Sequence, residues 1–238
     1  MRVIDLPPRA GLAWIKTSFT LFRAQPIGWI SLVSVWLLAS LGLSLVPLAG
    51  PALMGILQPG FFGGFVIAAR DQEAGLPVGA QQLFAAFRAN GRALATIGSI
   101  TLLANLLVVV MLGLLGFPLN IARDAEGIPD MRAYAQSLEG SEWMLWLGIV
   151  LTMAIKGALW FTAAILALNQ MPATHAIRWS CYAFIANFLP MLVLLVAMTA
   201  IFFLALLPLM LGLLVATPLF AIVHYVSYRD MFRPSEEG

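Results

Sequence analysis

Lys156 is the residue whose chemistry most demands an account. It stands thirteen positions into an apolar run that begins at Trp143, and a charge near the middle of a bilayer costs about 2.5–3.5 kcal/mol on insertion scales. No Asp or Glu lies well inside any apolar run to neutralise it; the polar neighbours on offer are Thr152, Asn105 and Thr101. An ammonium in that place suits a lipid phosphate, a substrate anion or a carboxylate on another subunit. The alternative is a lysine that snorkels or gives up its proton. At about 1.5 Å per residue the side chain starts roughly 20 Å down its helix, beyond easy reach of that surface. Lys156 is therefore expected to face the protein interior or a partner subunit, with Asn105 or Thr152 nearby.

Two Arg-Asp pairs, Arg70-Asp71 and Arg229-Asp230, close apolar segments. An arginine at a helix C-terminus offsets the dipole and meets phosphate headgroups. The aspartates are expected to pair with Lys16 or Arg178, clamping each hairpin to its own neighbouring amphipathic helix. The chain has only two histidines, His175 and His224, and one cysteine, Cys181. That set is poor for a metal and cannot form an internal disulfide. Asp124 and Glu126 lie close together but read as solvated loop acids. No nucleophile motif, nucleotide loop or carboxylate pair is present, so the expectation is a protein without catalysis and without a cofactor.

The elements that position these residues follow from composition. Apolar side chains make up 61% of 238 residues and charged ones 10%, against roughly 45–50% and 25% in soluble domains. A mean hydropathy of +0.94 leaves too little polar surface for a water-soluble globule. This excludes a soluble enzyme, a disordered tail and a nucleic-acid partner. The prediction is an all-α polytopic membrane protein.

Six segments are apolar for the roughly 20 residues that a crossing needs: Pro26–Val46, Pro51–Ala69, Ala93–Asn120, Trp143–Leu168, Leu189–Leu207 and Leu209–Tyr228. Short turns at Pro47–Gly50 and near Pro208 imply tight hairpins. The first span shows no cleavage site behind it and is expected to be retained. On one side lie Arg2, Arg9, Lys16, Arg23, Arg70, Arg88, Arg92, Arg178, Arg229 and Arg233; on the other lie only Arg123 and Arg132. That bias predicts cytoplasmic termini and an outer loop at 121–142.

The two ends of the chain also resemble each other. Pro59, Phe61, Arg70 and Asp71 share their spacing with Pro218, Phe220, Arg229 and Asp230. Upstream, Lys16, Ser18, Phe22, Ala24 and Gln25 align at an offset of 162 with Arg178, Ser180, Phe184, Ala186 and Asn187, and Pro47 aligns with Pro208 at 161. A tandem duplication accounts for this. Each unit opens with an amphipathic stretch: Leu12, Ile15, Phe19 and Phe22 against Lys16, Thr20 and Arg23 in the first, with Ile177, Cys181 and Phe184 inward in the last. Leu83, Phe84 and Phe87 with Arg88 and Arg92 mark a third. The plan is three hairpins, each preceded by an interfacial helix, with repeats at 12–71, 80–170 (the diverged copy) and 174–232, related by rotation about the membrane normal. Gly63-Gly64 and Gly113–Gly116 suit close helix packing. Trp14, Trp29, Trp143, Trp146 and Trp179 suit an interfacial belt, while Trp36 and Trp160 suit packing.

With this plan, Ala-Ile-Arg-Trp-Ser at 176–180 and Ser-Tyr-Arg-Asp-Met-Phe at 227–232, the chain resembles the BPSS-type six-span inner-membrane proteins of proteobacteria. These in turn are similar to the membrane domain of some glycerophosphodiester phosphodiesterases. The resemblance implies a bacterial inner membrane and a six-helix fold; it carries no activity and no catalytic residues. Three functions stay open. The first is an accessory or scaffold subunit of a larger membrane assembly, whose partners are lipids and other membrane proteins. The second is a lipid or small-molecule handling protein with Lys156 at its site. The third is a secondary transporter, which a nearly lone intramembrane charge supports least.

Overall fold

A computed structural model describes residues 2–120, 128–169 and 171–233. Its helices are α1 (Ala10–Ala24), α2 (Pro26–Ser44), α3 (Ala49–Glu73), a 3-10 helix (Ala80–Phe84) leading into α4 (Ala85–Leu114), α5 (Met131–Ser137), α6 (Glu142–Ala158), α7 (Thr162–Asn169), α8 (Ala173–Ala186), α9 (Phe188–Leu206) and α10 (Leu213–Met231). Two short strands, β1 (Arg2–Val3) and β2 (Phe232–Arg233), pair antiparallel with Arg2 opposite Arg233 and Val3 opposite Phe232. The chain forms two compact units, residues 100–157 and the remainder.

Five helical segments are long and apolar enough to cross a membrane: Pro26–Ser44, Ala49–Glu73, Ala80–Leu114, Glu142–Asn169 and Phe188–Leu206. The sixth expected crossing corresponds to α10, which is not among them. Its second half carries His224, Tyr225, Ser227, Tyr228, Arg229 and Asp230, and polar groups dilute its apolar run. The fourth expected span is interrupted between α6 and α7 at residues 159–161.

In the larger unit, α3, α7 and α10 pack against one another and form the middle of the core. Outside them, α1 packs on α10, the 3-10 helix on α3, and α8 on α7; α2 lies along α3, and α9 along α10. Small residues make the inner contacts possible. A Cβ on Gly63 would sit 2.7 Å from the Ala86 Cβ, and one on Gly64 only 2.3 Å from the Leu83 carbonyl oxygen. Close approach of this kind replaces the hydrophobic drive that lipid removes between helices.

The outer helices turn different faces inward from those the apolar stripes suggest. In α1 the buried positions are Gly11, Trp14, Ser18 and Phe22, whereas Leu12 and Phe19 are exposed. A Cβ on Gly11 would lie 2.5 Å from the Pro190 carbonyl, so small residues set the close approach on a face that Trp14 and Phe22 complete. In α8 the same rule buries Ala176, Ser180 and Ala183; Ile177, Cys181 and Phe184 are only half-buried.

Both tight turns use a left-handed leucine after proline: Leu48 at φ 62° and Leu209 at φ 52°. Each is followed by a glycine wedged on the preceding helix. A Cβ on Gly50 would meet Leu43 O, and one on Gly212 would meet Ala205 Cα at 2.5 Å.

The smaller unit contains α4 from Ile100 onward, α5, and α6 up to Gly157. Asp130 caps α5, its carboxylate accepting the amides of Arg132 and Ala133, both at 3.0 Å. This helix lies where the sequence suggests only an outer loop. Arg123, Asp124 and Glu126 fall outside the described residues.

Candidate functional site

Glutamine and asparagine side chains govern the places where outer helices bend into long ones. Gln25 separates α1 from α2 at φ −141°, ψ 59°. Asn187 separates α8 from α9 at φ −112°, ψ 35°. Asn90 breaks the helical geometry inside α4 at φ −152°, ψ 45°. Each amide then reaches main chain. Gln25 Oε1 accepts Val78 N at 2.7 Å, and its Nε2 donates to Leu76 O at 3.2 Å. Asn187 Oδ1 accepts Leu6 N at 2.9 Å, and its Nδ2 donates to Ile4 O at 3.0 Å. Asn90 Nδ2 lies 3.4 Å from both Leu166 O and Met171 O. An amide carries donor and acceptor on one rigid plane, which suits it to hold an extended segment at residues i and i+2.

The Arg-Asp pairs lie at the same end of their helices, with partners other than those expected. Arg70 donates to Asp71 within its own pair at 2.7 Å, and Arg229 to Asp230 at 2.8 Å. Arg229 also pairs with Glu73, whose other oxygen accepts the Tyr225 hydroxyl at 2.8 Å. The aspartates' second oxygens take neutral donors: Gln82 Nε2 for Asp71 at 3.0 Å and Trp14 Nε1 for Asp230 at 3.1 Å. Lys16 and Arg178 form no ion pair among the described residues. The clamp therefore differs from the expected one in both chemistry and address. Asp71 at the end of α3 reaches forward to the 3-10 helix, and Asp230 at the end of α10 reaches back to α1, so neither holds the outer helix that precedes its own hairpin.

Two tryptophans assigned to an interfacial belt are buried anchors instead. Trp14 is 1% exposed and Trp29 fully enclosed. Trp29 Nε1 donates to Gln72 Oε1 at 2.8 Å, and Gln72 Nε2 in turn donates to Leu21 O at 2.7 Å. Sequence position near a span end did not reveal this, because the partners Asp230 and Gln72 are 216 and 43 positions away. Trp143 and Trp146 are exposed.

His224 is buried among rings. It stacks on Trp160 at 3.9 Å between centroids, with Phe62 and Phe220 at 4.7 and 4.8 Å, and its Nδ1 lies 2.9 Å from Phe220 O. His175 is exposed on α8 and lines a cleft with Arg2 and Arg178. The two histidines thus serve different surroundings. Among the described residues no three His, Cys, Asp or Glu side chains are grouped to hold a metal ion.

Lys156 does not face an interior. It is exposed on α6, while Thr152, one turn earlier, is half-buried. Asn105 Nδ2 donates to Thr101 O on its own helix at 2.7 Å. Around Lys156 the same helix exposes Trp146, Ile149, Val150 and Met153. Of the two placements expected for Lys156, inward or against a partner subunit, its exposure disagrees with the inward one; the buried residue of α6 is Gly157. A residue-by-residue depth estimate fixes how far down a helix a side chain lies, not the direction in which it points.

No family model matches the chain, and no solved structure matches it. A probable inner membrane protein of Burkholderia thailandensis is 27% identical over 186 residues, covering 76% of this chain and 68% of that protein. With that likeness beside helices long and apolar enough to cross a bilayer, the chain is a multi-pass integral membrane protein.

Proposed function

We propose that this chain is a non-catalytic scaffold of the bacterial inner membrane, built from three copies of an interfacial helix and a hairpin and joined to another membrane protein through α6. The observation that carries the docking role is the outward Lys156 on an otherwise apolar helix face. A lipid-facing ammonium at depth is unfavourable, whereas a carboxylate on a neighbouring subunit neutralises it. The name of the Burkholderia relative supports the inner membrane.

The threefold plan draws support from the order of contacts. Gln25 of the first copy holds the linker to the second, Asn90 of the second holds the chain leading to the third, and Asn187 of the third holds residues 4–6, which lead into the first. The hydrogen-bonded β1–β2 ladder takes the place of a covalent linker there, and α1 closes on α10 as the 3-10 helix closes on α3 and α8 on α7. On this plan α10 is the sixth crossing, and both termini are cytoplasmic.

Purification in mild detergent tests the scaffold role. The wild-type chain is expected to bring down a membrane protein in fixed proportion, and Lys156→Met to lose it while remaining monodisperse. An identical set of co-purifying proteins in both would end the proposal. Lipid handling is the second reading, and the cleft on α8 favours it.

A further inference from the structure

We propose that the cleft between β1 and α8 is a binding site for a phosphate-bearing headgroup at the cytoplasmic face. It is an open cleft with a volume of about 860 Å³, lined by Arg2, Val3, His175, Arg178, Trp179 and Tyr182. The α8 residues follow the spacing i, i+3, i+4, i+7 and so share one face of the helix. On the adjoining face, Ala176, Ser180 and Ala183 are buried, which fixes the rotation of the helix.

The other wall is equally fixed. Residue 2 is held in register by the ladder to residue 233. Ile4 N donates to Met231 O at 2.9 Å, and Asn187 grips Ile4 and Leu6 from the C-terminal end of α8. An arginine near a chain terminus is usually free to wander; here its backbone is part of a built wall.

The chemistry of the lining selects the ligand. Two guanidinium groups and an imidazole converge with no carboxylate among the lining residues, and neither Arg2 nor Arg178 has an ion-pair partner among the described residues. Guanidinium forks match phosphate oxygens in paired hydrogen bonds. Trp179 and Tyr182 meet edge to face at 6.4 Å and bring the amphipathic rings that favour headgroup depth. Beyond Tyr182 the exposed side chains turn apolar, with Ile185, Phe188 and Leu189 leading into α9. A ligand with phosphate in the cleft therefore has acyl-compatible surface beside it. The volume holds a full headgroup rather than a bare ion.

The test uses the full chain in detergent, with bound lipid counted by native mass spectrometry during titration with phosphatidylglycerol or phosphatidylcholine. A parallel arm follows competition by inorganic phosphate. Phosphatidylglycerol is expected to bind the wild type more tightly than phosphatidylcholine, and Arg2→Gln with Arg178→Gln to weaken it by roughly fivefold per arginine. Arg178→Gln alone gives the single step if the double variant is poorly behaved. Inorganic phosphate bound by the wild type but not the variant, with no lipid preference, would keep the site and assign it to a soluble phosphate. Equal binding of every probe by wild type and variants would overturn the proposal. So would an equal loss in Lys16→Gln/Arg23→Gln, which removes exposed charge from α1 and leaves the cleft intact.

Discussion

Gln25 and Asn187, 162 positions apart, treat the main chain in the same way. Each ends an outer helix, begins a long one, donates its amide NH2 to a carbonyl at position i and accepts the N–H at i+2, as Leu76/Val78 in one case and Ile4/Leu6 in the other. The receiving segments have no sequence in common. What is shared is a need: extended chain beside a helix end leaves backbone groups without partners, and a planar amide meets two of them at once.

Asn187→Ala is expected to destabilise the protein by about 2 kcal/mol, since it strips partners from two backbone groups beside a fully buried side chain. Gln25→Ala, whose amide is half-buried, should lose about 1 kcal/mol, because water replaces part of what is removed. Asn187→Asp keeps the acceptor for Leu6 and should fall between wild type and alanine. Thermal unfolding in one detergent at one scan rate gives the order; a Gln25 variant weaker than the Asn187 variant would contradict it.

Gly64→Ala should be poorly tolerated, because its Cβ would stand 2.3 Å from the backbone oxygen of Leu83 and force the 3-10 helix off α3. Overpacking of this kind costs roughly 1–3 kcal/mol. Gly42 has nothing within 4 Å of its Cβ position and lies in the last turn of α2, so Gly42→Ala should be neutral or slightly stabilising, by at most about 0.5 kcal/mol. Melting temperatures of the pair that moved together would remove the packing argument.

The long apolar helices and the breaks after Pro47 and Pro208 were legible because apolar length and proline position are written in one dimension. The inward faces of α1 and α8 were not. Hydrophobicity points to protein interior in water, but beside lipid it points either way, and Gly11 and Ala176 lie on the packed faces where small residues permit close approach. For Lys156, nothing in α6 itself fixes which side meets the protein, so its exposure was not readable from position along the helix. The partners of Asp71 and Asp230 were not legible because Gln82 and Trp14 are neutral and carry no charge to mark them as carboxylate partners.

The proposed topology places residue 233 in the cytoplasm and the segment around α5 outside. An alkaline phosphatase fusion after Glu139 should be active and one at the C-terminus silent, with a cytoplasmic reporter giving the reverse. Activity of alkaline phosphatase at the C-terminus would mean that α10 does not cross, and the threefold plan would fall with it.

Ser18 and Ser180, also 162 apart, should respond in opposite ways to the same substitution. Both are fully buried. Ser180 Oγ accepts the Phe161 amide at 3.0 Å where the helix is interrupted between α6 and α7, so Ser180→Ala leaves a buried N–H bare and should cost about 1–3 kcal/mol. Ser18 Oγ has no hydrogen-bond partner among the described residues, although α1 packs against α9 and α10 there. Ser18→Ala removes a hydroxyl that burial disfavours, and should be neutral or raise stability by up to about 1 kcal/mol. The two alanine variants, melted side by side, separate the contributions of these hydroxyls without altering volume by more than one atom. A loss at Ser18 equal to that at Ser180 would show that its hydroxyl does have a partner in the membrane.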